Sequence, residues 1–302
     1  MRVLLTGASG FIGGHILQGL LRDGHRVVAV SRRKPSGASE HLRFLPRDFA
    51  ESLDPADWAG AVQDIDAVIN AVGILREHGT QRFDRLHHRA PSALFQAAVA
   101  AGVGRIVQVS ALGADEEAVT GYHLSKKAAD DTLLAMPVEA VVVQPSVVIG
   151  LGGAATAMFT MQAKLPFTPI PGTGQQLMQP IHVDDLAELV VALATNDALA
   201  SQYKGRRVAA VGPEPMNLRE FYARLRRGLG LESEARFIGI PMWYMNMMAQ
   251  AGKWIPGSPL DPDTLSMLER GTSAPADDTR AILGREPRAV ESFFEPTPRA
   301  PS

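Results

Sequence analysis

The first thirty residues contain the pattern that most constrains the fold: an apolar run, a glycine-rich turn, an amphipathic stretch and a second apolar run. The turn reads GASGFIG, with glycines at positions 7, 10 and 13. Residues 3–6 before it are mostly apolar and branched, as in a buried parallel strand. Residues 11–21 carry apolar side chains at helical spacing, and Gly24 ends the helix. The chain is therefore predicted to open with strand, tight turn, helix and strand.

Each glycine of this turn has a separate physical role in such a unit. One allows the tight turn, one lets the backbone approach a pyrophosphate, and one lets the helix pack closely on the sheet. The free N–H groups at the start of the helix then hold the phosphates. The alternative is a plain strand–turn–helix connection. The pattern favours a dinucleotide-binding turn, with expected contacts from Gly7, Ser9, Gly10, Phe11, Ile12 and Gly13.

Short buried-type strands and helical stretches continue to alternate through the first half of the chain. Strands are expected at residues 42–45, 67–71, 105–110 and 140–144, and helices at 55–62, 82–101 and 122–135. This alternation predicts an α/β fold with a doubly wound parallel, Rossmann-like sheet, which binds ligands beyond the carboxyl ends of its strands. After Gly150 the chain becomes rich in Gly, Pro, Met and Phe, which predicts a smaller, mostly helical C-terminal lobe.

These changes in character give the expected domain organisation. The dinucleotide-binding domain is predicted at residues 1–150, and residues 180–212 return to it. The small substrate lobe is predicted at residues 151–179 and 213–284, and residues 285–302 are expected to form a loosely ordered tail.

Composition excludes several functional classes. The chain has 302 residues, a formal net charge of -2 and 21% charged residues, so it lacks the basic excess of a general nucleic-acid binder. It has no cysteine, which excludes disulfides and thiolate metal sites, and no metal site is expected. No apolar stretch approaches about 18 residues and no signal peptide opens the chain, so we expect a cytoplasmic protein without a membrane span. The oligomeric state is left open.

A second motif, GYHLSKKAAD, places chemistry at the start of a helix. Tyr122 and Lys126 are four residues apart and share one helical face. A phenol titrates near pKa 10, and an ammonium one turn away stabilises the phenolate and is expected to lower that pKa. Ser110 ends the preceding strand, where it can hydrogen-bond a reacting oxygen. A serine, a tyrosine and a lysine around a carbonyl predict a proton-transfer site for hydride chemistry.

Together these motifs resemble the short-chain dehydrogenase/reductase superfamily, in its extended or atypical branch, over roughly residues 1–195. The residues that carry the resemblance are TGASGFIG at 6–13, Asp48, NAVG at 70–73, Ser110, Tyr122 with Lys126, QPSVVIG at 144–150 and PIHVDDLA at 180–187. The blocks VINAVGILRE and LPFTPIPGTGQQLMQPIHVDDLA are similar to the subgroup that includes the dehydrogenase-like accessory subunit of respiratory complex I. The resemblance implies that the cofactor contacts also include Asp48, Ala71, Val72, Gly73, Tyr122, Lys126, Pro145, Ser146 and Val147.

Two positions depart from the pattern of the superfamily. His87 stands where an active-site asparagine is expected, and Gln144 stands where an arginine usually precedes Pro-Ser. Both departures weaken the inference of a sugar-nucleotide epimerase, because arginine is the usual donor to a second pyrophosphate. His87 has two interpretations, a residue close to the substrate or a structural histidine.

The end of the second predicted strand indicates the choice of cofactor. An NAD enzyme is expected to place an acid there for the ribose hydroxyls, but the sequence reads Ser31, Arg32, Arg33. Guanidinium groups suit a 2′-phosphate through paired, charge-assisted hydrogen bonds. The alternative is a solvated basic turn. We therefore expect NADP(H) to be favoured over NAD(H).

The leading hypothesis is an NADP(H)-dependent oxidoreductase that acts on a small apolar carbonyl or alcohol. Its rivals are a non-catalytic NADPH-binding structural or sensor protein and a nucleotide-sugar epimerase or dehydratase. Met158 and Phe159 are candidate substrate contacts together with His87, or else part of the core of the lobe. The Met- and Trp-rich segment 241–256 has three interpretations: lobe core, lining of an apolar pocket, or a peripheral membrane contact, which its charge does not favour.

Overall fold

The computed structural model describes residues 1–36, 39–252 and 262–295. The strands are β1 (Arg2–Thr6), β2 (Arg26–Ser31), β3 (Leu42–Pro46), β4 (Ala67–Asn70), β5 (Arg105–Val109), β6 (Glu139–Pro145), β7 (Val148–Ile149), β8 (Thr168–Pro171), β9 (Leu177–Met178), β10 (Ile181–His182), β11 (Arg206–Ala210), β12 (Met216–Asn217) and β13 (Phe237–Ile240). The helices are α1 (Phe11–Arg22), α2 (Pro55–Trp58), α3 (Ala90–Ala100), α4 (Gly121–Leu134), α5 (Ala154–Ala163), α6 (Val183–Thr195), α7 (Asp197–Tyr203), α8 (Leu218–Gly228), α9 (Met242–Gly252), α10 (Pro262–Arg270) and α11 (Asp277–Leu283). A π-helix at Asp84–Arg89 runs into α3, and a 3-10 helix spans Val290–Ser292.

The central sheet has the doubly wound topology that the sequence predicts. In the described part of the chain its seven strands have the order β11-β6-β5-β4-β1-β2-β3, and every pair is parallel. The strand order reverses between β1 and β4, which makes that point the topological switch of the sheet. Ligands of such sheets bind outside the carboxyl ends of the strands at this switch.

Helices cover both faces of the sheet because successive strand residues point to opposite sides. Leu4, Val68 and Ile106 share one hydrophobic core with Phe95 of α3. Arg105, which points the other way, donates to the carbonyl of Ala194 in α6 at 3.1 Å. The parallel strands are therefore buried on both sides, as their continuous apolar sequences indicate.

The chain divides into two compact units, and each is interrupted in sequence. The first comprises Met1–Pro145, Val183–Ala210 and Asp277–Arg285, and the second comprises Ser146–His182, Val211–Ala276 and the described part of Glu286–Ser302. These bounds differ from the predicted ones most clearly at α11, which belongs to the first unit. Arg285 after α11 pairs with buried Asp185 at 2.8 Å, and Thr279 donates to Ala209 at 3.0 Å. Such long-range contacts leave no local signal in the sequence.

The tail beyond Gly284 is more ordered than expected, as far as residue 295. Val290 and Phe293 are buried and join a core with Phe221 and Tyr222 of α8. Their spacing of three puts both side chains on one side of a helical turn. The prediction of a loosely held tail is therefore wrong for this stretch, and residues 296–302 lie outside the described residues.

The Met- and Trp-rich segment is largely exposed where the structure describes it. Trp243 and Met247 of α9 are 69% and 52% exposed, and within that helix only Ala249 and Gly252 are buried. The interpretation as lobe core is therefore wrong for α9, and residues 253–256 lie outside the described residues. Among the helices that the structure describes, none is long and apolar enough to cross a membrane.

Two glycines of the first turn are fixed by close backbone contacts. Gly7 has φ +73°, a conformation that favours glycine, and its carbonyl lies against the start of α1. A Cβ atom on Gly13 would fall 2.1 Å from the carbonyl oxygen of Gly7, whereas a Cβ on Gly14 would have Ala8 as its nearest neighbour at 3.9 Å. Helix α1 therefore lies so close to the turn that no side chain fits at position 13.

Replacing Gly13 by alanine is expected to destabilise the first unit, because the turn or α1 must shift to admit the methyl group. Overpacking of this kind costs about 1–3 kcal/mol. Gly14→Ala is the matched control, since alanine fits there and favours a helix by about 1 kcal/mol over glycine. Urea unfolding of both variants measures the difference. A Gly13→Ala protein as stable as the parent would contradict the close packing.

Candidate functional site

The turn after β1 forms a cradle of backbone N–H groups at the switch point. Gly10 donates to the Gly7 carbonyl at 2.8 Å and caps α1, and no side chain caps that end of the helix. The first N–H groups of α1 therefore remain available to a ligand. A cradle that excludes side chains at Gly7 and Gly13 and presents a helix N-terminus fits the pyrophosphate of a dinucleotide.

A chain of buried polar side chains fixes the neighbouring strand ends. The Thr6 hydroxyl donates to Asn70 at 2.5 Å, and the Asn70 amide donates to Gln108 at 2.7 Å. The Asn70 oxygen also accepts from the backbone of Val72 at 3.3 Å. These three side chains stand on adjacent strands, β1, β4 and β5, and they hold the Ala71–Val72–Gly73 loop. Sequence reasoning missed this row of hydrogen-bonded side chains, although a polar residue near the end of each buried strand was a usable signal.

The Lys126 ammonium joins the ends of β4 and β5. It is 3% exposed and donates to the carbonyls of Val72 at 3.3 Å and Val109 at 3.2 Å. A Cβ on Gly73 would lie 3.0 Å from Nζ, so the glycine of NAVG leaves room for the ammonium. Burial lowers the pKa of Lys126, and the nearby Asp130 carboxylate opposes that effect.

Tyr122 lies one helical turn before Lys126, packed among aromatic rings. The ring centroids of Phe83, His87 and His123 lie 5.9, 5.4 and 5.3 Å from it, all near edge-to-face. Burial, and then the Asp130 carboxylate, raises the pKa of Tyr122 to about 12. This direction is opposite to the expected one, because desolvation and an acid that the sequence analysis overlooked outweigh the ammonium.

That acid, Asp130, is the main functional residue that sequence reasoning missed. It is fully buried one turn beyond Lys126, and the Ser110 hydroxyl donates to it at 2.5 Å. The Gln144 side chain lies near it, and the Gln144 amide donates to the Ala114 carbonyl at 2.9 Å. The signal was the continuation of the Tyr–Lys spacing by four more residues, which keeps Asp130 on the same helical face.

His87 uses both ring nitrogens inside the protein. Its Nε2 accepts from the backbone of Ile74 at 3.0 Å, and its Nδ1 lies 2.9 Å from the Ser125 hydroxyl. Ser125 donates its own proton to the Tyr122 carbonyl, so the histidine is the donor to Ser125. Burial, then the Lys126 charge, lowers the pKa of His87 to about 2 and keeps the ring neutral. The ring is fully buried, which favours its structural interpretation over contact with a substrate.

The π-helix that carries His87 follows from Pro91. Proline has no N–H to donate to the carbonyl four residues before it, which is that of His87, and its ring crowds that carbonyl. The chain widens there, and Ala90 donates instead to Arg85, five residues back. The HHRAP sequence thus accounts for the local geometry that turns His87 toward α4.

The basic residues after β2 are exposed. In the described part of the chain neither Arg32 nor Arg33 pairs with a carboxylate, and the Ser31 hydroxyl donates to the Arg33 carbonyl at 2.7 Å. The Arg32 guanidinium lies against the side-chain amide of Gln81, whose oxygen can accept from both terminal nitrogens when the amide is turned toward them. After β3, Asp48 accepts from the backbone of Ala50 at 2.9 Å and shapes the loop there.

The remaining predicted residues are divided between the two units. Pro145 ends β6 in the first unit and accepts from Leu112 at 2.9 Å. Ser146, Val147, Met158 and Phe159 belong to the second unit, where Phe159 packs on Phe221 with ring centroids 5.0 Å apart. That packing favours the interpretation of Phe159 as lobe core. Among the described residues, no group of three or more His, Cys, Asp or Glu side chains is arranged to hold a metal ion.

Two relatives of known sequence match about two thirds of this chain. The chain is 29% identical over 205 residues to a ceramide reductase of Caulobacter vibrioides, covering 65% of this chain and 62% of that protein. It is 30% identical over 201 residues to the mitochondrial NADH dehydrogenase [ubiquinone] 1 alpha subcomplex subunit 9 of Arabidopsis thaliana, covering 63% of this chain and 49% of the relative. The chain thus spans about half to two thirds of the length of these relatives.

A solved structure has the same fold along the whole chain. A nucleoside-diphosphate-sugar epimerase from Staphylococcus aureus superposes with a TM-score of 0.77 at 17% identity, covering 98% of this chain and 100% of that one. The sequence model of the NAD dependent epimerase/dehydratase family matches residues 3–204. On that match and this fold, the chain belongs to the NAD dependent epimerase/dehydratase family, an NAD(P)-binding enzyme family of oxidoreductases and epimerases.

Proposed function

We propose that this chain is an NADP(H)-dependent reductase of an apolar carbonyl compound. The observation that carries the proposal is the buried cluster at the ends of β4 and β5, where Lys126 is held by two backbone carbonyls one turn after Tyr122. Ser110 adjoins Val109, the residue whose carbonyl accepts from Lys126. A phenol, an ammonium and a hydroxyl so gathered are the groups that carbonyl reduction requires.

Tyr122 is the proton donor in this proposal. Because its pKa is raised to about 12, the phenol keeps its proton throughout the neutral range and has it ready for a developing alkoxide. Lys126 offers a positive charge that stabilises the phenolate left behind. At neutral pH the phenolate is therefore scarcely populated, so oxidation of an alcohol, which needs the phenolate as base, starts from a rare form of the site.

The cradle at Gly7, Gly10 and Gly13 would hold the pyrophosphate of the dinucleotide, and Gly73 would border its nicotinamide end. NADPH, when bound, supplies the hydride. Arg32 and Arg33 would bind the 2′-phosphate, supported by their exposure and by the lack of an acid at the end of β2. The contact with Gln81 holds the Arg32 guanidinium in place in advance, so less side-chain entropy is lost on binding.

An apolar substrate is supported by two observations. The Caulobacter relative is named a ceramide reductase, and ceramide is a lipid. Gln144 stands where the superfamily pattern has arginine, and its amide donates to the Ala114 carbonyl instead of being free for a phosphate. A lipid-like ketone or aldehyde therefore suits the chain better than a sugar nucleotide.

A second candidate function is favoured by the similarity to the complex I subunit. That relative is named as a subunit of a larger enzyme, and in this candidate the present chain would likewise hold NADPH as a structural or sensor protein without turning it over. A chain that binds NADPH tightly but oxidises it with no ketone, aldehyde, quinone or nucleotide sugar in a substrate panel would support this candidate. Turnover of a nucleotide sugar in the same panel would support an epimerase or dehydratase instead.

Replacing both Arg32 and Arg33 by alanine is expected to abolish the preference for NADPH. Charge-assisted hydrogen bonds contribute about 1.5–3 kcal/mol, so the Kd for NADPH should rise roughly 10- to 100-fold while that for NADH changes little. Arg26→Ala, at the exposed opposite end of β2, is the matched control. Titration calorimetry measures both nucleotides. Equal affinities in the parent protein would refute the proposed cofactor.

Tyr122→Phe is expected to lower kcat by about 10²- to 10⁴-fold, because only the proton-donating hydroxyl is removed. The Kd for NADPH should stay within about twofold, since the ring that packs on Phe83 and His87 is kept. Tyr203→Phe, elsewhere in the first unit, controls for the chemical change. NADPH oxidation on an accepted carbonyl is the assay. Near-parent rates in Tyr122→Phe would remove this residue from the mechanism.

A further inference from the structure

The hydroxyl of Ser110 already has an acceptor inside the protein. It donates to Oδ2 of Asp130 at 2.5 Å, and the two residues are 4% and 0% exposed. A hydroxyl has one proton, so a serine that gives it to a carboxylate offers only lone pairs elsewhere. In that state Ser110 cannot donate a hydrogen bond to the carbonyl oxygen of a substrate, although it stands where the proposed reaction needs a donor.

Every element packed around Asp130 places a polar group against it. Lys126 and Tyr122 come from its own helix, Ser110 from the end of β5, Gln144 from β6 and Arg207 from β11. Arg207 is paired with the neighbouring, more exposed Asp131. Asp130 is therefore held in a fixed polar setting away from water, where a change in its protonation alters the hydrogen bonds of its neighbours.

We propose that Asp130 is a positioning residue that sets the direction of the Ser110 hydrogen bond, and that carbonyl reduction proceeds from the form in which Asp130 carries a proton. The inference rests on the proposed function. In that form the carboxylic acid O–H donates to Ser110 Oγ, and the Ser110 O–H is released to donate to the substrate carbonyl. In the ionised form the Ser110 O–H donates to Asp130 instead, and its hydrogen bond to the substrate carbonyl is lost. Ser110 keeps its own proton throughout, so it acts as a donor and not as an acid.

The electrostatics of the site support this assignment. Burial raises the pKa of Asp130, and this effect outweighs the hydrogen bond of Ser110 and the charges of Lys126 and Arg207, which lower it. Because the form with a protonated Asp130 is the active one, kcat/KM for reduction should fall as the pH rises through the pKa of Asp130.

Protonation of Asp130 also affects stability, because the folded state binds this proton more tightly than the unfolded state does. This contribution to stability is therefore present below the ordinary carboxyl pKa and is lost as the pH rises through the folded pKa.

The variant Asp130→Asn tests the inference, because its amide N–H can donate to Ser110 as the protonated acid does. In the parent, kcat/KM should approach a tenfold fall per pH unit on the alkaline limb. In Asp130→Asn the part of that fall that belongs to Asp130 should be missing, so the variant exceeds the parent above the pKa of Asp130, and only the fall caused by loss of the Lys126 charge remains. Asp131→Asn, which changes the adjacent and more exposed carboxylate, should retain the parent profile. A loss of rate in Asp130→Asn that is equal at every pH, or an unchanged profile, would overturn the proposal.

Infrared spectroscopy needs no turnover, so it tests the role of Asp130 independently of the proposed function. The infrared difference between the parent and Asp130→Asn should contain a protonated carboxyl C=O band that disappears as the pH rises. Ser110→Ala should shift that band, because the hydrogen bond to Ser110 is lost. If no carbonyl is reduced, the proposed function fails and the titrating band alone decides on Asp130. Absence of the band at every pH at which the protein is folded would refute the role of Asp130.

Discussion

The buried ammonium of Lys126 is the interaction on which the carboxyl edge of the sheet depends. An isolated charge in a protein interior is unstable unless it is paired and hydrogen-bonded. Here the backbone carbonyls at the ends of two adjacent strands, those of Val72 and Val109, supply acceptors, and Asp130 adds the opposite charge when it is ionised. Because the Lys126 ammonium needs these acceptors, it holds the loop after β4, the end of β5 and one face of α4 in position. They also explain why position 73 is glycine, since a side chain there would meet Nζ.

His87 also links the loop after β4 to α4. Its ring connects Ile74, in the loop after β4, to Ser125 on α4, and it stays neutral because it is buried beside the ammonium. A neutral imidazole donates at one nitrogen and accepts at the other, which is what this bridge requires. The histidine that departs from the superfamily pattern at this position is therefore buried with both ring nitrogens hydrogen-bonded. Pro91 makes this arrangement possible, since the π-turn it causes sets the direction of the ring.

Much of the fold and part of the candidate site could be predicted from the sequence, because both depend on short-range patterns. Apolar runs and helical periodicity gave the parallel sheet, and glycine spacing gave the cradle at Gly13. Tyr122 and Lys126 were found because their separation of four residues is a local property. The position of α11 and the burial of Phe293 depend on partners distant in sequence. Asp130 was overlooked, and the direction of the Tyr122 pKa with it, because the spacing places Asp130 on the Tyr–Lys face of the helix but does not show how strongly that face is desolvated.

The interrupted first unit has a consequence for how the protein is made. Its last strand, β11, pairs with β6 across some 60 residues, and α11 arrives about 130 residues after the end of β6. At translation rates of about 5–20 residues per second, the edge of β6 waits several seconds without its partner strand. During that time it is a parallel edge with unpaired backbone groups, which other chains can join. Production of this protein should therefore depend on chaperones that keep nascent chains apart until β11 has been made.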